Sequence, residues 1–212
     1  MTAPTLLSAT WHALVQRRGS SGPQAQLVLD ELVAAYREPT RQYHSLEHIA
    51  QLLRHLEEHG RGVIDRDAVA LAIIFHDAVY DPRRHDNEEE SAALARARLT
   101  SLAFADALIG KVAGYIEATQ HTSALEVADP DLALLLDLDL ATLAAAPKEY
   151  SDYAKAIRRE YAHLPDSLYQ HGRRQVLAGF LARQRIYRTE PLHALWEERA
   201  RANIRREIAE LT

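Results

Sequence analysis

The apolar residues of this chain recur mainly at the three- and four-residue spacing of amphipathic helices. One such run follows Gly22-Pro23, a second ends near Gly60, and a third, capped by Asp65 or Asp67, contains the apolar segment 69–74. Further helices are predicted over residues 87–99, 104–119, 130–145, 150–162, 167–187 and 192–211. The sequence has no alternating β patterns between turn dipeptides, so we predict an all-α fold that forms one compact domain over residues 1–212.

The composition is ordinary for a globular protein except in histidine and cysteine. Of 212 residues, 47% are hydrophobic and 26% are charged, and there are 11 histidines but no cysteine. The lack of thiolates excludes cysteine nucleophiles, Cys-x-x-Cys redox pairs and sulfur-bound zinc. Any metal ion would therefore have to be held by histidine, aspartate and glutamate.

Charge is unevenly distributed along the chain. The net charge is −5, but residues 1–147 carry a net −9 and residues 148–212 a net +4. An acidic majority argues against stable nucleic-acid binding, which needs a concentrated basic face, whereas the Arg-rich last third suits a small anionic substrate. No apolar run approaches the roughly 20 residues of a membrane span, and the first 18 residues lack a signal-peptide pattern. We therefore expect a cytoplasmic protein that does not associate with membranes.

Two short segments with histidine carry candidate chemistry. In the first, His44 and His48 lie four residues apart and can share one helix face if the helix includes His44. If Ser45 is the N-cap instead, His44 lies just outside the helix. In the second, an apolar helical segment ends in the adjacent pair His76 and Asp77. Burying a carboxylate is costly unless a metal or counter-ion compensates it, so the pair suggests ligands; alternatively, Asp77 simply begins the following loop.

A third segment places two carboxylates in a strongly apolar helix. Asp137 and Asp139 interrupt the run 134–143, and each needs a partner there. We expect one of them to face inward and the other to be solvated. A helix cap is the simpler explanation for their presence.

In this order the three segments resemble the HD superfamily of metal-dependent phosphohydrolases, whose signature His…His-Asp…Asp lies on an all-helical fold. His48 and His76 are 28 residues apart, and Asp77 and Asp139 are 62 apart. The similarity is greatest to a little-characterised bacterial group of predicted HD phosphohydrolases and covers most of the chain. Further matches are Tyr43-His44, Tyr80-Asp81, Asn87-Glu88, Ser91-Ala92, residues 137–140, residues 157–161 and Ile186-Tyr187.

The resemblance implies a metal site with four ligands. These would be His48, His76, Asp77 and Asp139, with Asp139 preferred to Asp137 because an apolar helix follows the family's last aspartate. Two imidazoles and two carboxylates suit one or two ions of Mn²⁺, Fe²⁺, Co²⁺, Ni²⁺ or Zn²⁺, and suit Mg²⁺ less well. Metal-activated water, with Asp77 as a catalytic ligand, would hydrolyse a phosphoester or phosphoanhydride in a small metabolite such as a nucleotide.

Other residues would complete this site. His44 would be the general acid, by similarity to the Tyr-His-x-x-x-His segment of cyclic-nucleotide phosphodiesterases, although the segment after Asp77 differs from theirs. His121 would hold a second metal or contact phosphate, and Glu88 and Asp137 would orient the ligands from behind. Each of the last three residues also has a simpler explanation. His121 could be a solvated histidine, Glu88 an acid that the helix dipole favours, and Asp137 a helix cap.

Arginines would bind the phosphate group of the substrate. Arg158 or Arg159 would project into the site, since guanidinium suits bidentate recognition of oxyanions, and the other would form a surface ion pair. Arg41 is a weaker candidate for the same role. Six further histidines have no spacing that suggests a ligand and are expected to be ordinary side chains: His12, His55, His59, His163, His171 and His193.

Two other functions stay open at this point. Some HD-fold enzymes hold two irons and cleave C–C or C–P bonds with O₂, which needs more histidine ligands than His121 supplies. The second alternative is a non-catalytic ligand-binding module that keeps the fold. The retention of all four ligand types argues against this alternative. Association into a homo-oligomer through the amphipathic helix 192–211 is also open.

Overall fold

Ten α-helices and no strand are found in the residues that the computed structural model describes, which are 1–20, 22–121 and 127–211. The prediction of an all-α fold is therefore confirmed for these ranges. None of their helices combines the length and the apolar character that a membrane crossing requires. The chain divides into two compact units, residues 1–122 and 123–212, each with its own packing.

The described part of the first unit contains six α-helices and a 3₁₀ turn at Gly60–Gly62. The helices are α1 (Ala3–Arg17), α2 (Pro23–Ala35), α3 (Leu46–His59), α4 (Arg66–Phe75), α5 (Asn87–Ser101) and α6 (Asp106–Ala118). Helix α4 is central, because it contacts α1, α3, α5 and α6 and every residue from Ala68 to Phe75 is buried. Asp65 caps it by accepting a hydrogen bond from the Ala68 N–H, as one of the two sequence alternatives predicts. A helix that is apolar on all sides is stable only inside a core, so the end of α4 is held firmly in place.

Helix α1 is missing from the sequence prediction, although its apolar residues have helical spacing. Leu7, Trp11 and Leu14 are all fully buried, and each contributes about 1.5–3 kcal/mol by leaving water. The Trp11 indole N–H also donates to the Ala25 carbonyl at 2.9 Å, which joins α1 to α2.

The described part of the second unit contains four α-helices and a 3₁₀ turn at Leu140–Ala144. The helices are α7 (Pro130–Asp139), α8 (Pro147–Glu160), α9 (Asp166–Ala182) and α10 (Glu190–Glu210). Helix α10 contacts α8, α9 and the 3₁₀ turn. The buried amide of Asn203 fixes it there by donating to the carbonyls of Leu143 and Ala145, both at 2.9 Å.

Helix α9 ends at Ala182, although the sequence pattern predicts that it continues to residue 187. The backbone becomes extended at Arg183, and Ile186 and Tyr187 form a separate buried segment. Their N–H groups donate to the buried carboxylate of Glu197 on α10. Apolar spacing extends the predicted helix because it cannot show that these backbone donors are satisfied by a distant side chain.

Candidate metal centre

Two histidines and an aspartate of the predicted signature converge in the first unit. His48 lies in the first turn of α3, His76 follows α4 directly, and Asp77 is the next residue. His48 Nε2 is 3.3 Å from His76 Nε2. Asp77 Oδ2 lies 3.0 Å from the His76 nitrogen and 3.7 Å from the His48 nitrogen. The imidazoles are buried and the Asp77 side chain is 15% exposed, so the cluster reaches solvent through its carboxylate.

These separations fit the coordination shell of a metal ion. Ligand atoms bound at about 2.1 Å lie about 3.0 Å apart at neighbouring corners of an octahedron and about 3.4 Å apart in a tetrahedron. His76 Nδ1 donates to the Ile73 carbonyl at 2.9 Å, which in the neutral ring leaves the Nε2 lone pair directed at His48 and Asp77. Two buried nitrogens and a carboxylate at this distance need a cation or a proton between them. His48, His76 and Asp77 therefore form a group that could hold a metal ion.

The carboxyl group of Asp77 is held in its charged form. Burial by itself would raise its pKa, but the charges of His76, His44 and His48 and a hydrogen bond from His76 outweigh that effect, so that the pKa of Asp77 lies well below its usual value. An ionised carboxylate is the form that coordinates a metal ion, so no proton has to leave Asp77, whereas His48 and His76 coordinate in their neutral forms and would release any proton they carry.

A buried arginine holds the turn at Asp77 from one side. Arg41 is 6% exposed, and its guanidinium donates to the carbonyls of Asp77 and Ala78 and forms an ion pair with Glu38 at 3.1 Å. Two tyrosine rings lie 5.3 and 5.6 Å from the guanidinium carbon. The sequence predicts Arg41 as a phosphate ligand, but the structure gives it another part: its donors bind the protein's own backbone and position Asp77.

Two side chains of α5 hold the same loop from the other side. The Val79 N–H donates to the buried Ser91 hydroxyl at 3.0 Å. The Asp81 N–H donates to Asn87 Oδ1, and the Asn87 amide donates back to the Asp81 carbonyl, both at 3.0 Å. In the sequence, Asn87 and Ser91 stand out only through the resemblance, because a side chain that bonds to distant backbone leaves no periodic pattern.

His44 lies beside the cluster but outside α3. Ser45 is the N-cap of the helix, so the second of the two sequence alternatives is confirmed. The half-buried ring of His44 stacks on Tyr80, with ring centroids 4.1 Å apart, and lies 6.1 Å from the ring of His48. From this position a positive charge on the His44 ring lowers the pKa of Asp77.

Asp137 has structural partners within the second unit. Its buried carboxylate accepts hydrogen bonds from the Arg188 N–H, the Thr189 N–H and the Thr189 hydroxyl, each at 2.7 Å. Burial nevertheless raises the pKa of Asp137, because desolvation outweighs these donors. Thr189 is the N-cap of α10, so the carboxylate of Asp137 holds the segment that leads into this helix, and its role of orienting a metal ligand stays a prediction. Asp139 is the half-buried last residue of α7, and its role as a ligand stays a prediction.

Glu88 and His121 occupy the ends of helices in the first unit. Glu88 stands with Glu89 and Glu90 in the first turn of α5, where the helix dipole favours acids. Glu88 also lines a cleft of about 430 Å³ together with Glu117. His121 follows α6 with a φ of 55°, a left-handed conformation that is uncommon outside glycine and asparagine. The catalytic role of His121 and the supporting role of Glu88 stay predictions.

The two candidate phosphate ligands of the second unit differ in their surroundings. Arg158 donates to the carbonyls of Tyr161 and Leu164 and forms an ion pair with Asp166 at 2.6 Å. Its guanidinium therefore joins the end of α8 to the start of α9. The neighbouring Arg159 is exposed to solvent.

No family model, no curated protein and no solved structure matches the chain. The fold and the site by themselves define its class: an all-α protein whose first unit contains a buried His–His–Asp cluster that could hold a metal ion.

Proposed function

We propose that this protein is a metal-dependent phosphohydrolase of the HD type that acts on a phosphoester or phosphoanhydride of a small metabolite. The observation that carries the proposal is the convergence of His48, His76 and Asp77 on one point, with ligand atoms 3.0–3.7 Å apart. These are three of the four residues that the HD resemblance implies as ligands. Two imidazoles and a carboxylate favour Mn²⁺, Fe²⁺, Co²⁺, Ni²⁺ or Zn²⁺ over Mg²⁺.

The three residues of the cluster and the neighbouring His44 would have different roles in this reaction. A divalent cation, when bound, would supply a Lewis acid for the phosphoryl group and a means of activating water. His48 and His76 present ring nitrogens, with His76 fixed in one tautomer by the Ile73 carbonyl. Asp77 contributes negative charge. His44 would hold a proton beside the cluster and donate it to the departing alkoxide, a contribution of about 10²–10⁴-fold to the rate.

The resemblance adds further residues to the proposed site. Asp139 would be the fourth ligand, and Arg159 would bind the phosphate group. The sequence supports both assignments through the order of the motifs and through the positive charge of residues 148–212. Arg159 is an exposed residue, and a guanidinium suits bidentate recognition of an oxyanion.

Asp137→Asn and Asp139→Asn are expected to change different properties. Asp137→Asn should lower the free energy of unfolding by about 2–3 kcal/mol, because an amide oxygen cannot accept all three of the hydrogen bonds and the amide N–H₂ would face backbone donors. Asp139→Asn should weaken metal binding at least about tenfold. Urea denaturation and metal titration measure the two effects. Asp152→Asn, at an exposed position, is the control, and unchanged metal affinity in Asp139→Asn would remove Asp139 from the ligand set.

The proposed reaction is tested by a substrate screen of the metal-loaded protein. Phosphomonoesters, nucleotides and cyclic nucleotides are incubated with protein loaded with Mn²⁺, Co²⁺ or Ni²⁺, and released phosphate or nucleoside is measured. His76→Ala should abolish turnover because it removes a ligand, whereas His85→Ala, an exposed histidine of the same loop, should not.

Three results would contradict the proposed reaction. Turnover that survives His76→Ala would show that the cluster is not the catalytic site. Two irons per chain together with consumption of O₂ would favour the oxygenase alternative. A protein that takes up no metal under any loading condition would favour a non-catalytic binding module.

A further inference from the structure

A second group of potential metal ligands lies at the C-terminal end of α3. His55, Glu58 and His59 each offer a donor atom within 4.8 Å of the other two. The two imidazole rings are nearly parallel, at 22°, with centroids 5.9 Å apart, and His59 Nε2 is 3.7 Å from Glu58 Oε2. We refer to these three residues as the α3-end cluster. Their spacing follows directly from the helix, because positions i, i+3 and i+4 share one face.

The sequence alone treats His55 and His59 as ordinary side chains, yet it contains a usable signal. The segment His55-Leu-Glu-Glu-His59 places two histidines one helical turn apart with a glutamate directly before the second. Paired histidines at this spacing on one helix face are a known arrangement for binding zinc. The structure adds what the sequence cannot show, namely that residues 55, 58 and 59 all lie inside a regular helix that ends at His59.

The surroundings of the α3-end cluster favour a cation. The last carbonyls of a helix carry partial negative charge, and His59 is the last residue of α3. His55 and His59 are both half-buried, which leaves few directions from which their imidazoles can be solvated. The Glu58 side chain is 69% exposed and can rotate to bring its carboxylate to coordination distance.

We propose that His55, Glu58 and His59 bind a second divalent transition-metal ion of the Zn²⁺, Ni²⁺, Co²⁺ or Cu²⁺ class. Imidazole and carboxylate ligands select these ions over Mg²⁺ and Ca²⁺. This site does not depend on the proposed hydrolysis.

The second ion would not share the reaction of the first. His55 follows His48 by seven residues, which is about 10 Å along a helix axis. Two ions that act together on one phosphoryl group lie about 3.5–4 Å apart. The ion at the α3-end cluster is therefore expected to be structural or regulatory: it joins the last two turns of the helix whose first turn carries His48.

Metal stoichiometry tests this proposal without any activity assay. Equilibrium dialysis against Zn²⁺ and Ni²⁺ should give two ions per chain for the wild type and one for His55→Ala/His59→Ala. In a His76→Ala background, which disables the first cluster, the expected count is one ion, and none after the double substitution. In the same His76→Ala background, Glu58→Gln alone should weaken metal binding at the α3-end cluster about tenfold. Glu57→Gln is the matched control, because Glu57 is an exposed neighbour that pairs with Arg66 instead.

The outcomes separate this proposal from the proposed function. A single ion that is lost in His55→Ala/His59→Ala and kept in His76→Ala would support the α3-end cluster as a metal site. The same result would contradict a metal site at His48, His76 and Asp77. Unchanged stoichiometry and affinity in His55→Ala/His59→Ala would overturn the α3-end site, as would a dissociation constant weaker than about 1 mM for the His76→Ala protein. Should His76→Ala fail to fold, the d–d absorption of Co²⁺ titrated into the wild type and the double variant gives the same comparison.

Discussion

Asp77→Asn protein is expected to bind metal at the first cluster at least about 100-fold more weakly than the wild type. The substitution removes the only carboxylate among the three converging residues and leaves two buried imidazoles without their negative partner. Loss of residues that merely support a ligand already costs 10–100-fold in metal affinity, so loss of a ligand should cost at least as much.

Thermal and chemical unfolding with and without metal measure this effect. At a metal concentration about 100 times the wild-type dissociation constant, bound metal raises the free energy of unfolding by about 2.7 kcal/mol. The same concentration should raise it by no more than about 0.4 kcal/mol for Asp77→Asn. All variants are made in a His59→Ala background, so that the α3-end cluster does not contribute.

A matched carboxylate controls for the loss of charge. Asp86→Asn removes a half-exposed aspartate of the same loop that pairs with Arg84, and it should retain the full metal-induced stabilisation. Equal stabilisation of Asp77→Asn and the wild type would contradict the assignment of the cluster as a metal site.

Arg41→Ala should be the most destabilising single substitution near the site, lowering the free energy of unfolding by about 3 kcal/mol. It leaves the carbonyls of Asp77 and Ala78 without their buried donor and opens a cavity between two tyrosine rings. Because Asp77 loses its support, metal affinity should fall by about 10–100-fold even where the protein is fully folded.

Two further variants separate positioning from packing. Arg41→Lys keeps the positive charge but cannot bind both carbonyls in the same planar geometry, so it should recover part of the stability and little of the metal affinity. Arg37→Ala, at an exposed position nearby, should change neither property. Metal affinity that stays at the wild-type value in folded Arg41→Ala protein would show that Arg41 supports the fold alone.

Most helices of the fold could be predicted from the spacing of their apolar residues, although α1 is missing from that prediction. The helix that contains 69–74 follows from the pattern, because an apolar helix in the core has few alternatives, whereas the choice of Asp65 over Asp67 as its cap needs the structure. The extension of α9 to 187 is wrong for a physical reason. Ile186 and Tyr187 are buried, as their apolar character predicts, but their backbone donors are satisfied by Glu197 and not by the preceding helical turn.

The candidate site could be predicted only in part, because metal ligands can be recognised in a sequence more easily than the side chains that hold them in place. The convergence of His48, His76 and Asp77 could be predicted only through the resemblance to the HD signature, because each segment by itself leaves the ligand role open. Arg41 could not be assigned correctly, since a guanidinium that binds backbone carbonyls and one that binds phosphate look the same in a sequence. Only the three-dimensional structure shows which acceptor is near.

The burial of residues 68–75 of α4 has a consequence for how this chain can vary. Every side chain from Ala68 to Phe75 packs against a neighbour, and the next residue is His76. A substitution that shifts this helix to suit its packing also moves a ring nitrogen of the cluster. Variants of the chain are therefore expected to show correlated changes in melting temperature and metal affinity, and adjustment of the site without loss of stability should come from residues of the following loop and of α5.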